Sequence, residues 1–181
     1  MTILTISGSL RPDAATTNLL RALALLAPPG IRLVPYYGPN TVPAFSPERD
    51  PDPAPPSVAA IRQQLLTADG VVIATPEYAY GMPGTLNNAL DWLVSSASLY
   101  RKPVATLSAS PSHYGGHHAH AGLRLTLTAH HARLSAGTAL TVPHVRLKIA
   151  PDGALTDPAF TTSLRNLLTA LSHLIQGPVA W

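Results

Sequence analysis

Cysteine is missing from the sequence, and charged residues are scarce. Because none of the 181 residues is a cysteine, the chain has no disulfide, no thiolate metal ligand and no cysteine nucleophile. Charged residues make up 12% of the chain, against roughly 25% in an average soluble domain. The 12 lysines and arginines are scattered, so the formal net charge of +3 does not indicate a nucleic-acid-binding patch.

Long hydrophobic runs are also missing. No window approaches about 18 consecutive apolar residues, so the sequence predicts no membrane-spanning segment and no membrane partner. The N-terminal residues have neither the basic region nor the apolar core of a secretory signal. These features predict a cytoplasmic protein. The length predicts one domain over residues 1–181, without repeats or an internal boundary.

What is present is an alternation of strand-like apolar runs and amphipathic segments. We predict strands at about residues 2–6, 31–34, 70–75, 103–107 and 136–142. We predict helices from Thr16 or Thr17 to Leu26, from Ser57 to Ala68, from Thr85 to about Ser95, from Gly116 to about Leu134 and from Pro158 to Gln176, with Asp157 capping the last. The alternation predicts an α/β fold, a flavodoxin-like three-layer sandwich with a five-stranded parallel sheet of order 2-1-3-4-5.

Many of the 19 prolines lie between Pro35 and Pro56, in a stretch without a helix or strand pattern. A loop of this length is uncommon inside a compact domain and is often functional. A lid and an interface arm are both compatible with the sequence.

The loop after the first predicted strand is rich in hydrogen-bond donors. Ser9, Thr16, Thr17 and Asn18 are neutral donors, and the Arg11 guanidinium suits a phosphate. The N-terminus of the following helix adds backbone N–H groups that favour an anion. The Walker and Gly-x-Gly-x-x-Gly patterns are both absent, so a single phosphate fits better than a pyrophosphate. Simple helix capping is an equally good explanation for the Ser and Thr residues.

Two further loops follow the third and fourth predicted strands. The loop from Thr75 to Gly84 is dense in proline, glycine and tyrosine, which suits the wall of a flat isoalloxazine ring. The loop from Ser108 to Gly116 contains two glycines that allow close approach of the backbone to a ligand. Each loop alone is also compatible with an ordinary surface connector. The interpretation as a binding site depends on all three loops meeting at one edge of the sheet.

These loops resemble the motifs of the NADPH-dependent FMN reductase family, which includes chromate, quinone and azo-dye reductases. The first loop is similar in Gly8, Ser9, Arg11, Thr16 and Asn18. The second motif is longer and more specific, with Pro-Glu-Tyr from Pro76, Pro-Gly from Pro83, and Leu-Asn-Asn-Ala-Leu-Asp-Trp ending at Trp92. The third loop is similar to the family's Ser-Pro-x-x-x-Gly-Gly. The resemblance covers residues 1 to about 142.

The resemblance implies an enzyme that transfers a hydride from NAD(P)H to bound FMN. The electrons then pass to a small-molecule acceptor, namely a quinone, an azo compound, a metal oxyanion or free flavin. It also implies a homodimer or homotetramer. The residues predicted to bind the cofactor are Ser9, Arg11, Thr16, Thr17 and Asn18 in the first loop, Pro76, Glu77, Tyr78, Ala79, Tyr80 and Gly81 in the second, and Ser110, Pro111, Ser112, His113, Tyr114 and Gly115 in the third. No catalytic side chain is named, because the cofactor carries the chemistry.

The sequence departs from the family at Ala79, where an asparagine is expected, and by two extra residues before Asn18. These departures keep open an alternative, a flavin-binding electron carrier or redox sensor without efficient turnover. A third hypothesis is a metal-binding module, suggested by the histidines at 113, 117, 118, 120, 130 and 131; a solvated helix face explains them more simply. We interpret Trp92 as a packing residue, with a dimer interface as one place for that packing, and Glu77 as a residue that holds its loop by hydrogen bonds.

Overall fold

The predicted strands come together as one parallel sheet in the described part of the chain. The computed structural model describes residues 1–50, 53–150 and 153–178. The strands are β1 (Thr2–Ser7), β2 (Arg32–Tyr36), β3 (Gly70–Thr75), β4 (Val104–Ala109) and β5 (Ala139–Val142). Every neighbouring pair is parallel and the order is β2-β1-β3-β4-β5, so the predicted topology is confirmed.

Helices cover both faces of this sheet. They are α1 (Ala15–Leu25), α2 (Pro56–Thr67), α3 (Gly84–Asp91), α4 (His117–Ala129) and α5 (Pro158–Gln176). The leucines of α1 and α5 pack on one face, and those of α2, α3 and α4 pack on the other. All six residues of β3 and all six of β4 are buried, as two-sided coverage requires. No helix in the described residues has the length and apolar character needed to cross a membrane.

The starts of α1, α2 and α5 test the predicted capping residues. Asp157 caps α5 as predicted, because its side chain accepts a hydrogen bond from the Phe160 N–H at 3.0 Å. The predicted caps of α1 and α2 are wrong. Thr16 lies inside α1, where its hydroxyl is hydrogen-bonded to the Ser7 hydroxyl at 3.0 Å. Ser57 lies inside α2, which begins at Pro56 because the fixed φ of proline suits a first turn.

Several predicted elements are shorter in the structure than in the sequence analysis. Helix α3 ends at Asp91 rather than near Ser95, and the Ser96 hydroxyl beyond it bonds the Leu93 carbonyl and competes with helix continuation. Helix α4 ends at Ala129 rather than near Leu134, because His131 adopts a positive φ of 55°. Strand β5 begins at Ala139, after a 3₁₀ turn over residues 136–138.

The proline-rich loop packs against α3 through a small apolar cluster. Trp92 is fully buried beside Val42 and Val58, and its ring meets that of Phe45 edge-on with centroids 5.2 Å apart. The Trp92 indole N–H donates to the Pro43 carbonyl at 2.8 Å. Packing of Trp92 is therefore confirmed. Since its side chain is buried within the chain, it is unavailable to a dimer interface.

Polar contacts also hold this loop. The Asn88 side chain accepts a hydrogen bond from the Phe45 N–H at 2.7 Å and donates one to the Pro43 carbonyl at 2.9 Å. The Arg62 guanidinium donates to the Asp50 carboxylate and to the Trp92 carbonyl, both at 2.6 Å. The proline-rich loop is thus held against α2 and α3 by an apolar cluster and by hydrogen bonds.

Replacing Asn88 by alanine should loosen this anchor. Asn88→Ala leaves the Phe45 N–H without its partner and removes one of the two hydrogen bonds to the Pro43 carbonyl, so we expect the free energy of unfolding to fall by about 1–3 kcal/mol in chemical denaturation. Amide hydrogen exchange over residues 43–45 should accelerate. The side chain of the adjacent Asn87 donates to the Asp91 carboxylate at 3.3 Å within the same helical segment and does not contact the loop through a hydrogen bond in the described residues, so Asn87→Ala should change stability by less than about 0.5 kcal/mol. Equal effects of the two substitutions would contradict the assignment.

Candidate functional site

A cavity of about 500 Å³ opens at the carboxyl ends of β1, β3 and β4, where the three predicted loops meet. Nine of the residues predicted to bind the cofactor line it, namely Ser9, Arg11, Thr16, Asn18, Pro76, Glu77, Tyr78, Ser110 and Pro111. The other eight, Thr17, Ala79, Tyr80, Gly81, Ser112, His113, Tyr114 and Gly115, are not part of this lining. The three loops therefore meet at one cavity, as the interpretation of a binding site requires.

The first loop leads into α1, whose N-terminus lies at the cavity. Ala14 occupies the cap position with no side-chain hydrogen bond, and the first turn contains no acidic residue. The N–H groups that open a helix have no partner within it, and here no cap satisfies them. This arrangement is suited to an anion such as a phosphate.

Two side chains beside this N-terminus add charge and donors. The Arg11 guanidinium is 3.5 Å from the Asp13 carboxylate, and both side chains are about three-quarters exposed. Such an exposed pair holds its partners weakly, so Arg11 is free to contact a ligand. Thr17 is not in the cavity lining; its hydroxyl donates to the Arg11 carbonyl at 3.3 Å, and it lines an adjoining groove that shares Ser9 and Arg11 with the cavity.

The second loop ends in a tight two-residue turn. The Tyr78 N–H donates to the Gly81 carbonyl and the Gly81 N–H donates to the Tyr78 carbonyl, both at 2.9 Å. Between them, Ala79 and Tyr80 have φ values of 49° and 63°. Positive φ at both central residues is typical of a type I′ turn, which favours asparagine and glycine. The family's asparagine thus corresponds to a turn position, and Ala79 increases the strain of this turn without changing the cavity lining.

Glu77 ties the second loop to α4. Its carboxylate accepts a hydrogen bond from the Ala119 N–H in the first turn of that helix, at 2.9 Å. A carboxylate at a helix N-terminus is stabilised by the helix dipole. The interpretation of Glu77 as a residue that holds its loop is confirmed.

The third loop is packed tightly against the segment that follows β5. Gly115 and Gly116 have φ values of 63° and 80°, and a Cβ on Gly115 would lie 2.8 Å from the Pro143 nitrogen. The His144 N–H donates to the Ser112 carbonyl at 3.2 Å. Only glycine combines this backbone conformation with this approach distance.

The segment after β5 forms a cavity wall that the sequence analysis missed. Val145, Arg146, Ile149 and Ala150 all line the cavity. They occupy a 3₁₀ turn and its continuation, which have no periodic pattern that would have marked them. The position of Arg146 could have indicated a role at the cavity. It closely follows the carboxyl end of a predicted strand, and the other loops emerge at the same edge of the sheet.

The histidines fall into two groups. Residues 113, 117, 118 and 144 are exposed, whereas His120 is buried with its Nε2 atom 2.8 Å from the Thr106 hydroxyl. Burial, together with the nearby Arg124, lowers the pKa of His120 below the ordinary imidazole value. Burial also lowers the pKa of His130. In the ranges 1–50, 53–150 and 153–178, no three His, Asp or Glu side chains are grouped so as to hold a metal ion, so the metal-binding hypothesis has no site there.

The sheet order and the cavity at its carboxyl edge define a flavodoxin-like protein. The model of the NADPH-dependent FMN reductase family matches residues 1–146, and the chain belongs to that family. It is accordingly an FMN-dependent oxidoreductase that uses NAD(P)H.

Individual relatives agree with this assignment. The chain is 37% identical over 129 residues to an NAD(P)H-dependent FMN reductase of Pseudomonas aeruginosa, covering 69% of this chain and 68% of the relative. It is 30% identical over 178 residues to a quinone reductase of Escherichia coli, covering 96% and 95%. The structure is similar to FerB, a flavoenzyme NAD(P)H:(acceptor) oxidoreductase from Paracoccus denitrificans, with a TM-score of 0.87, 26% identity and 97% of each chain covered.

Relieving the strain at Ala79 should stabilise the protein. A left-handed conformation disfavours a residue with a Cβ by roughly 1–2 kcal/mol, so Ala79→Gly should raise the free energy of unfolding by about 1 kcal/mol. Ala79→Asn should raise it by a smaller amount. Ala121→Gly, at an exposed position within α4, should lower it by about 1 kcal/mol instead. Chemical denaturation measures all three, and a destabilising Ala79→Gly would contradict the turn assignment.

The buried His120 should make stability depend on pH. In the unfolded chain histidine binds a proton near its ordinary pKa of 6.5, whereas folded His120 stays neutral to lower pH. The free energy of unfolding should therefore be greatest above pH 6.5 and fall as the pH drops toward the lowered pKa, by at most about 1.4 kcal/mol per pH unit for each proton.

Denaturation at a series of pH values between 5 and 8 measures this slope. His120→Gln should reduce the slope, and the double variant with His130→Gln should reduce it further because the pKa of His130 is lowered too. A slope identical to that of the unmodified protein would show that His120 does not contribute.

Proposed function

We propose that the chain acts as a single flavodoxin-like domain in which the three loops bind FMN and present it to NAD(P)H and a small-molecule electron acceptor. The phosphate would lie at the N-terminus of α1, and the flavin ring between the second and third loops. The observation that carries the proposal is the uncapped N-terminus of α1 opening into a cavity of about 500 Å³.

The donors present fit a phosphorylated flavin. The cavity volume lies within the roughly 300–1,000 Å³ common for small-molecule sites. Its phosphate end would combine α1 backbone N–H groups with Ser9 and Arg11, and Arg146 adds a second cation on the wall after β5. The first turn of α1 contains no acidic residue, and the one carboxylate of the first loop that lines the cavity, that of Asp13, is paired with Arg11.

The ring end is mainly a positioning surface. Pro76, Tyr78 and Pro111 offer apolar or aromatic contacts, and Ser110 offers a hydroxyl. FMN, when bound, supplies the hydride and electron chemistry itself. The chain's part is to hold the ring between two rigid loops, and the Glu77 carboxylate is already engaged with the Ala119 N–H rather than available as a base.

The acceptor we propose is a quinone, with azo compounds, metal oxyanions and free flavin as other candidates. Among the relatives are proteins named quinone reductase and 2-hydroxy-1,4-benzoquinone reductase. These names do not favour the alternative of an electron carrier or sensor without turnover.

The visible spectrum before and after anaerobic addition of NADPH tests the proposal. Flavin bands that bleach would support a reductase, and bound flavin that stays oxidised with both NADPH and NADH would overturn it.

Location and assembly belong to the same proposal. A requirement for NAD(P)H suits the cytoplasm, where this reductant is available. Exposed apolar side chains at Val94, Tyr100 and Leu125 offer surface for a homodimer or homotetramer. Sedimentation velocity of the purified protein would measure the assembly, and a monomer at micromolar concentration would contradict it.

Removing the Arg11 guanidinium should weaken FMN binding through its phosphate. A hydrogen bond to a charged group contributes about 1.5–3 kcal/mol, so Arg11→Gln should raise the Kd for FMN about tenfold or more. Riboflavin, which lacks the phosphate, should bind both forms equally. Arg11→Lys should have an intermediate effect, because it keeps the charge and loses the planar fork.

Fluorescence titration with the two flavins measures these constants. Arg165→Gln removes an exposed arginine on α5 with the same change in net charge, so it controls for long-range electrostatics. If Arg11→Gln weakened riboflavin and FMN equally, Arg11 would not be the phosphate ligand.

A further inference from the structure

Six exposed aromatic side chains form a continuous arc beside the cavity. In spatial order they are His144, His113, Tyr114, His117, His118 and Tyr80. The centroids of successive rings are 5.7, 5.5, 5.4, 3.9 and 5.1 Å apart. All six residues are exposed, so the arc is a surface and not part of the core.

Three separate parts of the chain build this arc. The left-handed pair Gly115 and Gly116 connects the third loop to α4, so that Tyr114 stands against His117. The tight turn of the second loop carries Tyr80 to His118. At the opposite end, His144 of the wall after β5 meets His113.

The backbone is strained at both ends of the arc. Tyr80 and His144 have φ values of 63° and 50°, although neither is glycine. Such conformations are maintained only when the surrounding structure imposes them, and they concentrate at functional sites. The tight turn of the second loop imposes the conformation of Tyr80, and these backbone conformations fix the positions of the two rings at the ends of the arc.

The arc borders the cavity without lining it. Tyr80 follows Tyr78 by two residues, His113 follows Pro111 by two, and His144 precedes Val145; Tyr78, Pro111 and Val145 all line the cavity. A molecule lying across the arc would thus reach the end of the cavity formed by the second and third loops. That end is where the proposed function places the flavin ring.

The chemistry of the arc favours a flat, negatively charged molecule. Phenol and imidazole rings offer faces for stacking, and imidazole and phenol groups offer hydrogen-bond donors. None of the six residues is acidic. On the nearby loops, the Glu77 carboxylate is bound by the Ala119 N–H, and the exposed Arg146 adds a positive charge on the wall that begins at His144.

We propose that this arc is the docking surface for the electron acceptor and that it selects a planar aromatic acceptor carrying a negative charge, such as an ionised hydroxyquinone or an aromatic sulfonate. The inference rests on the proposed function and adds the class of acceptor. His117 and His118 stand at the centre of the arc and are its main specificity-determining residues.

Binding can be measured separately from turnover with a probe that is not reduced. Naphthalene-2-sulfonate and the neutral naphthalene-2-sulfonamide have the same ring and differ in charge. In calorimetric titrations of the oxidised, FMN-loaded protein at pH 7, we expect the sulfonate to bind at least about fivefold more tightly than the sulfonamide, because hydrogen bonds to an ionised acceptor are stronger. The double variant His117→Gln and His118→Gln should lose that preference, since glutamine is polar but lacks the ring and the ring N–H donors.

His173→Gln is the matched control, because His173 is an exposed histidine on α5 and does not belong to the arc. It should retain the preference for the sulfonate. Equal binding of the two probes, or a preference that survives in the double variant, would overturn the proposal. A double variant that changes the oligomeric state in sedimentation velocity would identify the arc as a contact between copies of the chain and would also overturn it.

Steady-state kinetics then test the acceptor class. We expect the double variant to leave kcat unchanged and to raise KM for 2-hydroxy-1,4-naphthoquinone, which is ionised at neutral pH, about fivefold more than it raises KM for neutral 2-methyl-1,4-naphthoquinone. An equal change for both quinones would contradict charge selection. A protein that binds no flavin would overturn the proposed function, whereas a flavin-loaded, active protein without charge preference would overturn only the acceptor proposal.

Discussion

The burial of the two central strands is the constraint on which the other features depend. Every residue of β3 and β4 is buried, because α1 and α5 cover one face of the sheet and α2, α3 and α4 cover the other. Close packing on both faces leaves the strands little freedom to shift. Parallel strands end at the same edge, so the loops that follow β1, β3 and β4 emerge side by side from a rigid base.

The loops in turn hold one another, and this decides which groups remain available to a ligand. Glu77 bonds the start of α4, and the third loop bonds the segment after β5. These contacts use the carboxylate and the backbone groups at the ring end. At the end of the cavity beside α1, the N-terminus of that helix keeps uncapped donors and Arg11 is loosely paired. The site therefore has one end suited to an anion and one suited to positioning a ring.

The family motif contributes to the cavity lining and also to the structure around it. Its first part, Pro76 to Tyr78, lines the cavity. Its last part does not, because Asn88 and Trp92 hold the proline-rich loop through Pro43 and Phe45. The position of Ala79 belongs to a turn. A departure from the motif at Ala79 thus bears on loop strain and on the placement of Tyr80, rather than on a lost ligand contact.

The sequence by itself determined the sheet order, the bounds of β3 and α5 and the three loops that meet at the site. Those features follow from hydrophobic period and from turn and cap residues, which are local signals. Only the tertiary structure decided that Thr17 is not in the cavity lining, that Arg146 is part of it, and that His120 is buried while His117 and His118 are exposed. Such orientations depend on contacts between segments far apart in the chain, and no local pattern encodes them.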